Sequence, residues 1–200
     1  EYVQTEDNQI ERRDYTRHME IVAFLAKDVP VTLHAGELWL GDVPPPDLTF
    51  HIRQAVEIAH ARRIGHGVAL AFEHDMEGLL AEMRRRPVVL EINLSSNSII
   101  LGVRGKNHPL ATYLAAGVPV VLSTDDAGVS RINMTNEYFR AVDDQGLGYR
   151  TLKAIARNAL IHSFLDERQK REELDRFDRS YADFERTQAH GRSLLQNAVA

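Results

Sequence analysis

Cysteine is absent from the 200 residues of this chain, which excludes a disulfide framework and thiolate ligands for a metal. Basic residues are fewer than acidic ones. The chain has 24 Lys and Arg and 29 Asp and Glu, so its formal net charge is −5. A nucleic-acid partner would need a basic footprint, so none is expected. No apolar run approaches the roughly 18 residues of a membrane span. We therefore expect no membrane partner and a cytoplasmic protein, with export left open because the true N-terminus is not visible at Glu1.

Apolar runs that end in polar residues occur four times along the chain. The composition, 44% hydrophobic and 26% charged, suits one globular domain or part of one. Each run predicts a buried strand, and the last leads through Ser123 and Thr124 into two adjacent carboxylates, Asp125 and Asp126. Such neighbours repel each other unless a cation or hydrogen-bond donors hold them. The four predicted strands are 31–33, 64–68, 88–94 and 120–122.

Helical periodicity separates the predicted strands. In the first helix, 15–27, the apolar residues Met19, Val22 and Leu25 recur at helical spacing. A second helix is expected after Asp47, which is a possible cap. Further helices are predicted at about 76–83, 108–117, 138–142 and 152–160, and a charged tail from 166 to 190 predicts one or two surface helices.

The spacing of the strand-end residues indicates repeated strand–helix units. His34, His66, Asn93 and Asp125 follow one another at intervals of 32, 27 and 32 residues, by subtraction of their positions. A strand, a helix and two short loops need about 30 residues. Four such units predict an α/β fold with a parallel sheet whose site lies at the carboxyl ends of the strands. A closed eight-stranded barrel needs about 250 residues, so four strands are about half of one.

Two imidazoles and a carboxylate come from three of these strand ends, at His34, His66 and Asp125. Nitrogen and oxygen ligands of this kind suit zinc. Glu37, three residues after His34, is a candidate proton shuttle, because burial can raise the pKa of a carboxyl toward neutral pH. The other histidines are interpreted as ordinary surface or capping residues: His18, His51, His60, His74, His108, His162 and His190.

Four short motifs mark the same strand ends. They are L-H-A-G-E at Leu33 to Glu37, R-I-G-H-G at Arg63 to Gly67, S-S-N at Ser95 to Asn97 and S-T-D-D at Ser123 to Asp126. In this order and spacing they resemble the adenosine deaminase family of zinc amidohydrolases, closer to its bacterial and growth-factor-related branches. The resemblance implies a (β/α)8 TIM barrel of which residues 1–200 supply the C-terminal part, roughly strands five to eight with their helices, plus a C-terminal helical tail.

Carried over residue by residue, the resemblance implies that His34 and Asp125 are zinc ligands. Glu37 would protonate the purine at N1, and His66 would orient and help to deprotonate the attacking water. Asp126 would hydrogen-bond the purine at N7. The implied reaction is hydrolytic loss of ammonia from C6 of adenosine or a related 6-aminopurine nucleoside, with inosine as the product from adenosine. The implied cofactor is Zn2+, and the implied partner is a small-molecule purine nucleoside.

The sequence departs from the family pattern at its start. The first barrel strand of the family contains a His-x-His pair that supplies two further zinc ligands, and no such pair occurs in these 200 residues. We therefore expect that a missing N-terminal half of the barrel, or another chain, completes the fold, and that the isolated segment is inactive. Two alternatives stay open: another zinc amidohydrolase that acts on a cyclic amide or ester, and a non-catalytic interaction module.

Overall fold

A computed structural model describes residues 6–198 of the chain, with side chains described for residues 6–189. The architecture is α/β, with one four-stranded sheet in the order β1-β2-β3-β4. All three strand pairs are parallel, so each connection crosses over from the carboxyl end of one strand to the start of the next. This confirms the predicted parallel sheet. The strands are β1 Thr32–Ala35, β2 Arg63–His66, β3 Val89–Ile92 and β4 Val120–Leu122.

Helices make up most of the remaining described chain. They are α1 Gln9–Leu25, α2 His51–Glu57, α3 Met76–Arg85, α4 Leu94–Ile100, α5 Leu110–Ala115, α6 Ala127–Ser130, α7 Met134–Asp143, α8 Tyr149–Ile161 and α9 Glu167–Ala198. Short 3-10 turns occupy Pro45–Leu48, Val68–Phe72 and Gly105–Asn107. Among residues 6–198, no helix combines the length and the apolar character that crossing a membrane would take.

The chain divides into two compact units, Glu1–Ala156 and Arg157–Ala200. In the second unit, the charged tail forms the single helix α9. Asp166 caps this helix reciprocally with Gln169, because each side chain accepts a hydrogen bond from the backbone amide of the other residue, at 2.8 and 3.3 Å. Arg157 also donates two hydrogen bonds of 3.1 Å to Asp178. The sheet and the predicted site residues belong to the first unit.

The core of the first unit lies on one face of the sheet. Alternate strand residues, among them Leu33, Ile64 and Leu90, are fully buried on this face. Each such side chain contributes about 1.5–3 kcal/mol when it leaves water. The helical residues that share this core include Tyr15, Met19 and Val22 of α1, Ile52, Ala55 and Val56 of α2, Leu79 and Met83 of α3, and Leu110 and Tyr113 of α5.

Polar side chains mark the opposite face of the sheet. The Nε atom of Arg63 donates to the Oε1 atom of Glu91, and the hydroxyl of Thr32 donates to the same oxygen at 3.4 Å. These residues alternate along their strands with the core residues, because neighbouring side chains of a strand point to opposite faces. In the described part of the chain, β1 and β4 each pair with one neighbouring strand.

Helix α1 starts earlier than its apolar spacing predicts. The Oδ1 atom of Asn8 accepts a hydrogen bond of 2.8 Å from the amide of Ile10, so the helix is capped there and begins at Gln9. Met19 and Val22 are buried, whereas Leu25 is 53% exposed at the last turn. Helical spacing alone therefore does not tell where the buried face ends.

The predicted cap of α2 is wrong. Asp47 lies in a 3-10 turn and forms an ion pair of 2.8 Å with Arg12. The amides at the start of α2 are instead bound by Glu73, whose Oε1 atom accepts hydrogen bonds from Ile52 at 2.6 Å and Arg53 at 3.3 Å. A cap from 21 residues further along the chain leaves no local signal in the sequence.

Glu73 makes the free energy of unfolding depend on pH. Burial raises the pKa of Glu73 to about 7, against a partial opposing effect of its two backbone hydrogen bonds. A folded-state pKa above the unfolded value means that the native state binds the extra proton. The stability contribution is therefore full below about pH 4.5 and is lost as the pH rises through about 7.

We expect the free energy of unfolding of the native protein, relative to that of Glu73→Gln, to fall by about 1–3 kcal/mol between about pH 4 and pH 8. Urea titrations of both proteins across this range measure the difference. Glu77→Gln, on the exposed surface of α3, is the matched control. The difference in free energy of unfolding between the native protein and this variant is expected to stay constant with pH. An equally flat difference for Glu73→Gln would contradict the prediction.

Candidate active site

The carboxyl ends of β1, β2 and β4 bring three predicted site residues together. The imidazole rings of His34 and His66 lie 4.5 Å apart between centroids, at 48° to each other. Asp125 lies between them, with Oδ1 3.8 Å from His34 Nε2 and Oδ2 3.9 Å from His66 Nε2. His66 is fully buried, and the side chains of His34 and Asp125 are 14% exposed. The parallel register produces this cluster, because Ala35 pairs with His66 at the same sheet edge.

Two of these residues have left-handed backbone conformations. His66 has φ of 70° and Asp125 has φ of 53°. Residues other than glycine adopt this region rarely, at a cost of about 1–3 kcal/mol, and such residues concentrate at functional sites. Gly67 follows His66 with φ of 62°, and a Cβ atom there would lie 2.7 Å from the hydroxyl of Tyr113. The chain thus turns sharply where β2 ends, which aims the His66 ring at Asp125.

Glu37 stands beside His66 at the mouth of β1. Its Oε1 atom lies 3.3 Å from His66 Nδ1, and its side chain is 20% exposed. Burial raises the pKa of Glu37 to about 8, and the negative charges of Asp125, Glu6 and Asp126 add to the shift. A carboxyl with this pKa holds its proton at neutral pH and can deliver it to a substrate.

Asp126 lies on the rim of the same site. It precedes α6, and its side chain makes no capping hydrogen bond to that helix. It lines a cleft of about 320 Å³ together with His34, Asn93 and Asp125. All five predicted site residues therefore lie at one end of the sheet, with Asp126 the most exposed of them.

The predicted end of β3 needs a correction. The strand ends at Ile92, and the residues Ser95 to Asn97 belong to α4 rather than to the strand end. Asn93 lies between the two elements, with its Nδ2 atom 3.2 Å and 3.3 Å from the two ring nitrogens of His66. The helix brings Asn97 to the same ring, at 2.9 Å from Nδ1.

Two of the seven histidines interpreted as ordinary surface or capping residues are buried, which contradicts that interpretation for them. His51 is fully buried against Tyr15, with ring centroids 4.4 Å apart. His108 is 2% exposed, and its Nε2 atom lies 3.1 Å from Asn97 Oδ1. Burial lowers the pKa of each ring to about 4, so both are neutral at pH 7. His190 falls outside the residues whose side chains are described.

Glu6 is a site residue that the sequence did not indicate. It is 4% exposed, and its carboxylate accepts hydrogen bonds from the amides of Gly36, at 2.9 Å, and Glu37, at 2.7 Å. Burial raises the pKa of Glu6 to about 7. Gly36 has φ of 72°, so this turn needs both glycine and an acceptor for its amides. The contact spans 31 positions and follows no periodic pattern that could have revealed it.

The residues present fit a divalent metal. Atoms that bind one zinc ion at about 2.0–2.2 Å lie at most about 4.4 Å apart, and the 3.8 Å between His34 Nε2 and Asp125 Oδ1 meets this condition. One potential ligand atom from each of His34, Glu37 and His66 lies within 4.8 Å of the others, a looser limit than about 4.4 Å, so the fit rests on His34 and Asp125. Imidazole nitrogens and carboxylate oxygens are ligands that zinc accepts readily.

Comparisons with a family model and with curated proteins all find adenosine deaminases. The family model described as "Adenosine deaminase" matches residues 5–180. Adenosine deaminase of Clostridium acetobutylicum is 31% identical over 75% of this chain and 42% of its own length. Adenosine deaminase 2 of Sus scrofa is 31% identical over 86% of this chain and 33% of its own length.

Solved structures similar to this chain include other deaminases. The N6-methyl-AMP deaminase from Arabidopsis thaliana is 28% identical, with a TM-score of 0.63 over 80% of this chain and 43% of that chain. The adenine deaminase from Arthrobacter aurescens, 22% identical, shares the fold with a TM-score of 0.67 over 86% of this chain and 49% of that chain. The chain thus spans less than half the length of each of these proteins, and its four strands match part of a TIM barrel.

Proposed function

The chain belongs to the adenosine deaminase family, and we propose from this premise that the protein containing it hydrolyses a 6-aminopurine nucleoside at C6. Adenosine would yield inosine and ammonia. The observation that carries the proposal is the position of Glu37, a carboxyl with its pKa raised to about 8, beside the cluster of His66 and Asp125. An acid next to hydrogen-bonding and ligating groups is what hydrolytic deamination needs.

In this proposal His34 and Asp125 hold a zinc ion. Zinc, when bound, lowers the pKa of a water molecule toward about 7 and so supplies a nucleophile at neutral pH. A catalytic zinc site usually has three protein ligands, so two from this chain leave room for more from elsewhere in the protein. The resemblance assigns those to a His-x-His pair, and no such pair occurs in these 200 residues.

Three residues of this chain would act on the substrate and on the attacking water. Glu37 donates its proton to purine N1, which makes C6 more susceptible to attack. His66, fully buried and beside Asp125, orients the attacking water by a hydrogen bond. Asp126, at the rim of the cleft, hydrogen-bonds the purine at N7.

The relatives and the site together support a purine substrate. Two relatives named adenosine deaminase support a nucleoside, whereas the N6-methyl-AMP deaminase structure raises a nucleotide as the second candidate. The sequence contains no phosphate-cradling motif, which favours the nucleoside.

An absorbance assay of the full-length protein with adenosine, deoxyadenosine, AMP and N6-methyl-AMP tests the proposal. Zinc analysis of the same sample accompanies it. We expect conversion of adenosine to inosine with about one zinc per chain. Zinc-loaded, folded protein that converts none of the four compounds would contradict it.

A further inference from the structure

A directional series of buried hydrogen bonds leads from the backbone of α5 to the ring of His66. The amide of Leu110 donates to His108 Nδ1 at 3.1 Å. His108 Nε2 lies 3.1 Å from Asn97 Oδ1, and Asn97 Nδ2 lies 2.9 Å from His66 Nδ1. His108, Asn97 and His66 are each at most 2% exposed, so water does not compete for these contacts.

The backbone amide fixes the direction of every bond in the series. An amide N–H can only donate, so His108 Nδ1 accepts, and the hydrogen of the neutral ring is on Nε2. That hydrogen points at Asn97, which therefore presents its carbonyl oxygen to His108 and its NH2 group to His66. With the Asn97 amide reversed, its NH2 group would face the N–H of His108, donor against donor.

The orientation of the Asn97 amide in turn determines which nitrogen of His66 carries the hydrogen. An NH2 group 2.9 Å from Nδ1 needs a lone pair there, so the hydrogen of the neutral His66 ring is on Nε2. Asn93 does not distinguish the two tautomers, because its Nδ2 atom lies at nearly equal distances, 3.2 and 3.3 Å, from Nδ1 and Nε2 of the ring. Glu37 Oε1, 3.3 Å from Nδ1, donates to the lone pair there when the carboxyl carries its proton on that oxygen.

We propose that Asn97 and His108 are positioning residues that hold neutral His66 in the tautomer with hydrogen on Nε2, the nitrogen that faces Asp125. This inference deepens the proposed function and rests on it for its catalytic meaning. In this tautomer His66 donates a hydrogen bond into the site, which orients an attacking oxygen and stabilises negative charge that develops on it. The other tautomer, which His66 would need to accept a proton at Nε2, places an N–H of His66 against the NH2 group of Asn97.

Nitrogen-15 NMR of the histidine rings in the full-length protein, at neutral pH, reads the tautomer directly. The His66 signals are assigned by their loss in His66→Gln. In the native protein we expect Nδ1 to be bare and Nε2 to be protonated. In Asn97→Asp, a carboxylate accepts from both neighbours, so we expect His66 to carry a hydrogen on Nδ1.

Variants of His108 separate positioning from simple packing. His108→Phe fills the space but removes the donor to Asn97, so we expect mixed tautomers of His66 and an approximately 10- to 100-fold lower kcat. His108→Gln retains an N–H donor and is expected to restore both the tautomer and most of kcat. His74→Gln, an exposed histidine, is the control and should change neither.

A native His66 with its hydrogen on Nδ1 would overturn the inference, as would a tautomer that is unchanged in both Asn97→Asp and His108→Phe. Circular dichroism and urea titration confirm that each variant is folded before its spectrum is interpreted. The NMR measurement does not depend on turnover. A protein with this tautomer but no deaminase activity would refute the proposed function and leave the positioning role in place.

Discussion

Replacement of Glu37 by glutamine in the full-length protein is expected to lower kcat/KM for adenosine by about 10²- to 10⁴-fold, with zinc retained. Glutamine keeps the size of the side chain and its contact with His66 but has no acidic proton to give to the purine. The pKa of Glu37, raised to about 8 chiefly by burial, keeps the native carboxyl protonated where the enzyme would work. The loss should therefore fall on the chemical step more than on zinc binding.

Steady-state kinetics and zinc analysis of Glu37→Gln and of Glu77→Gln measure this effect. Glu77 is exposed on α3, and its variant is the control for the loss of one acidic group. Unchanged adenosine turnover in Glu37→Gln would contradict the assignment of Glu37 as the proton donor. Native protein that leaves adenosine intact but hydrolyses a cyclic amide or ester, equally well in Glu37→Gln, would favour the alternative of another zinc amidohydrolase, because such chemistry does not need this acid.

Replacement of His34 by alanine is expected to weaken zinc binding by at least about 100-fold and to abolish turnover. Losing a residue that only supports a ligand costs about 10- to 100-fold, and losing the ligand itself should cost more. The 3.8 Å separation of His34 Nε2 and Asp125 Oδ1 is the geometry on which this expectation depends.

Competition with a chelator of known affinity measures zinc binding by His34→Ala and by His74→Ala. His74 is an exposed histidine, so the second variant controls for nonspecific binding of metal by imidazole. Asp125→Asn should resemble His34→Ala, because it replaces a charged ligand by a neutral amide. Native zinc affinity in both His34→Ala and Asp125→Asn would show that the metal is held elsewhere.

The positions of the strands and of the strand-end residues were predictable because they obey short-range rules. Continuous apolar runs such as Val120 to Leu122 are typical of strands buried in a parallel sheet. The carboxyl ends of parallel strands meet at one edge of the sheet. Intervals near 30 residues therefore predicted that His34, His66 and Asp125 lie together, and the structure brings them together.

The features that the sequence did not reveal depend on contacts between distant segments. Asp47 looks like a cap from its local context, whereas the acceptor that binds the α2 amides is Glu73. His108 precedes a proline at a helix start, which is typical of an exposed cap. Its burial depends on α4, whose first residues the apolar run predicts as the end of a strand. Burial of a polar residue is decided by what packs over it, and periodicity carries no information about that.

The two hydrogen bonds from Gly36 and Glu37 to Glu6 tie the acid of the site to the segment that precedes α1. When that segment opens, both amides lose their acceptor and the turn that aims Glu37 is released. Local opening is an equilibrium of its own, with a free energy that can be far below that of global unfolding. Substrate that binds only the closed form would bind with its intrinsic affinity multiplied by the closed fraction. The docked population of a segment outside the sheet would thus set the apparent substrate affinity of the site, and saturating substrate would itself favour docking.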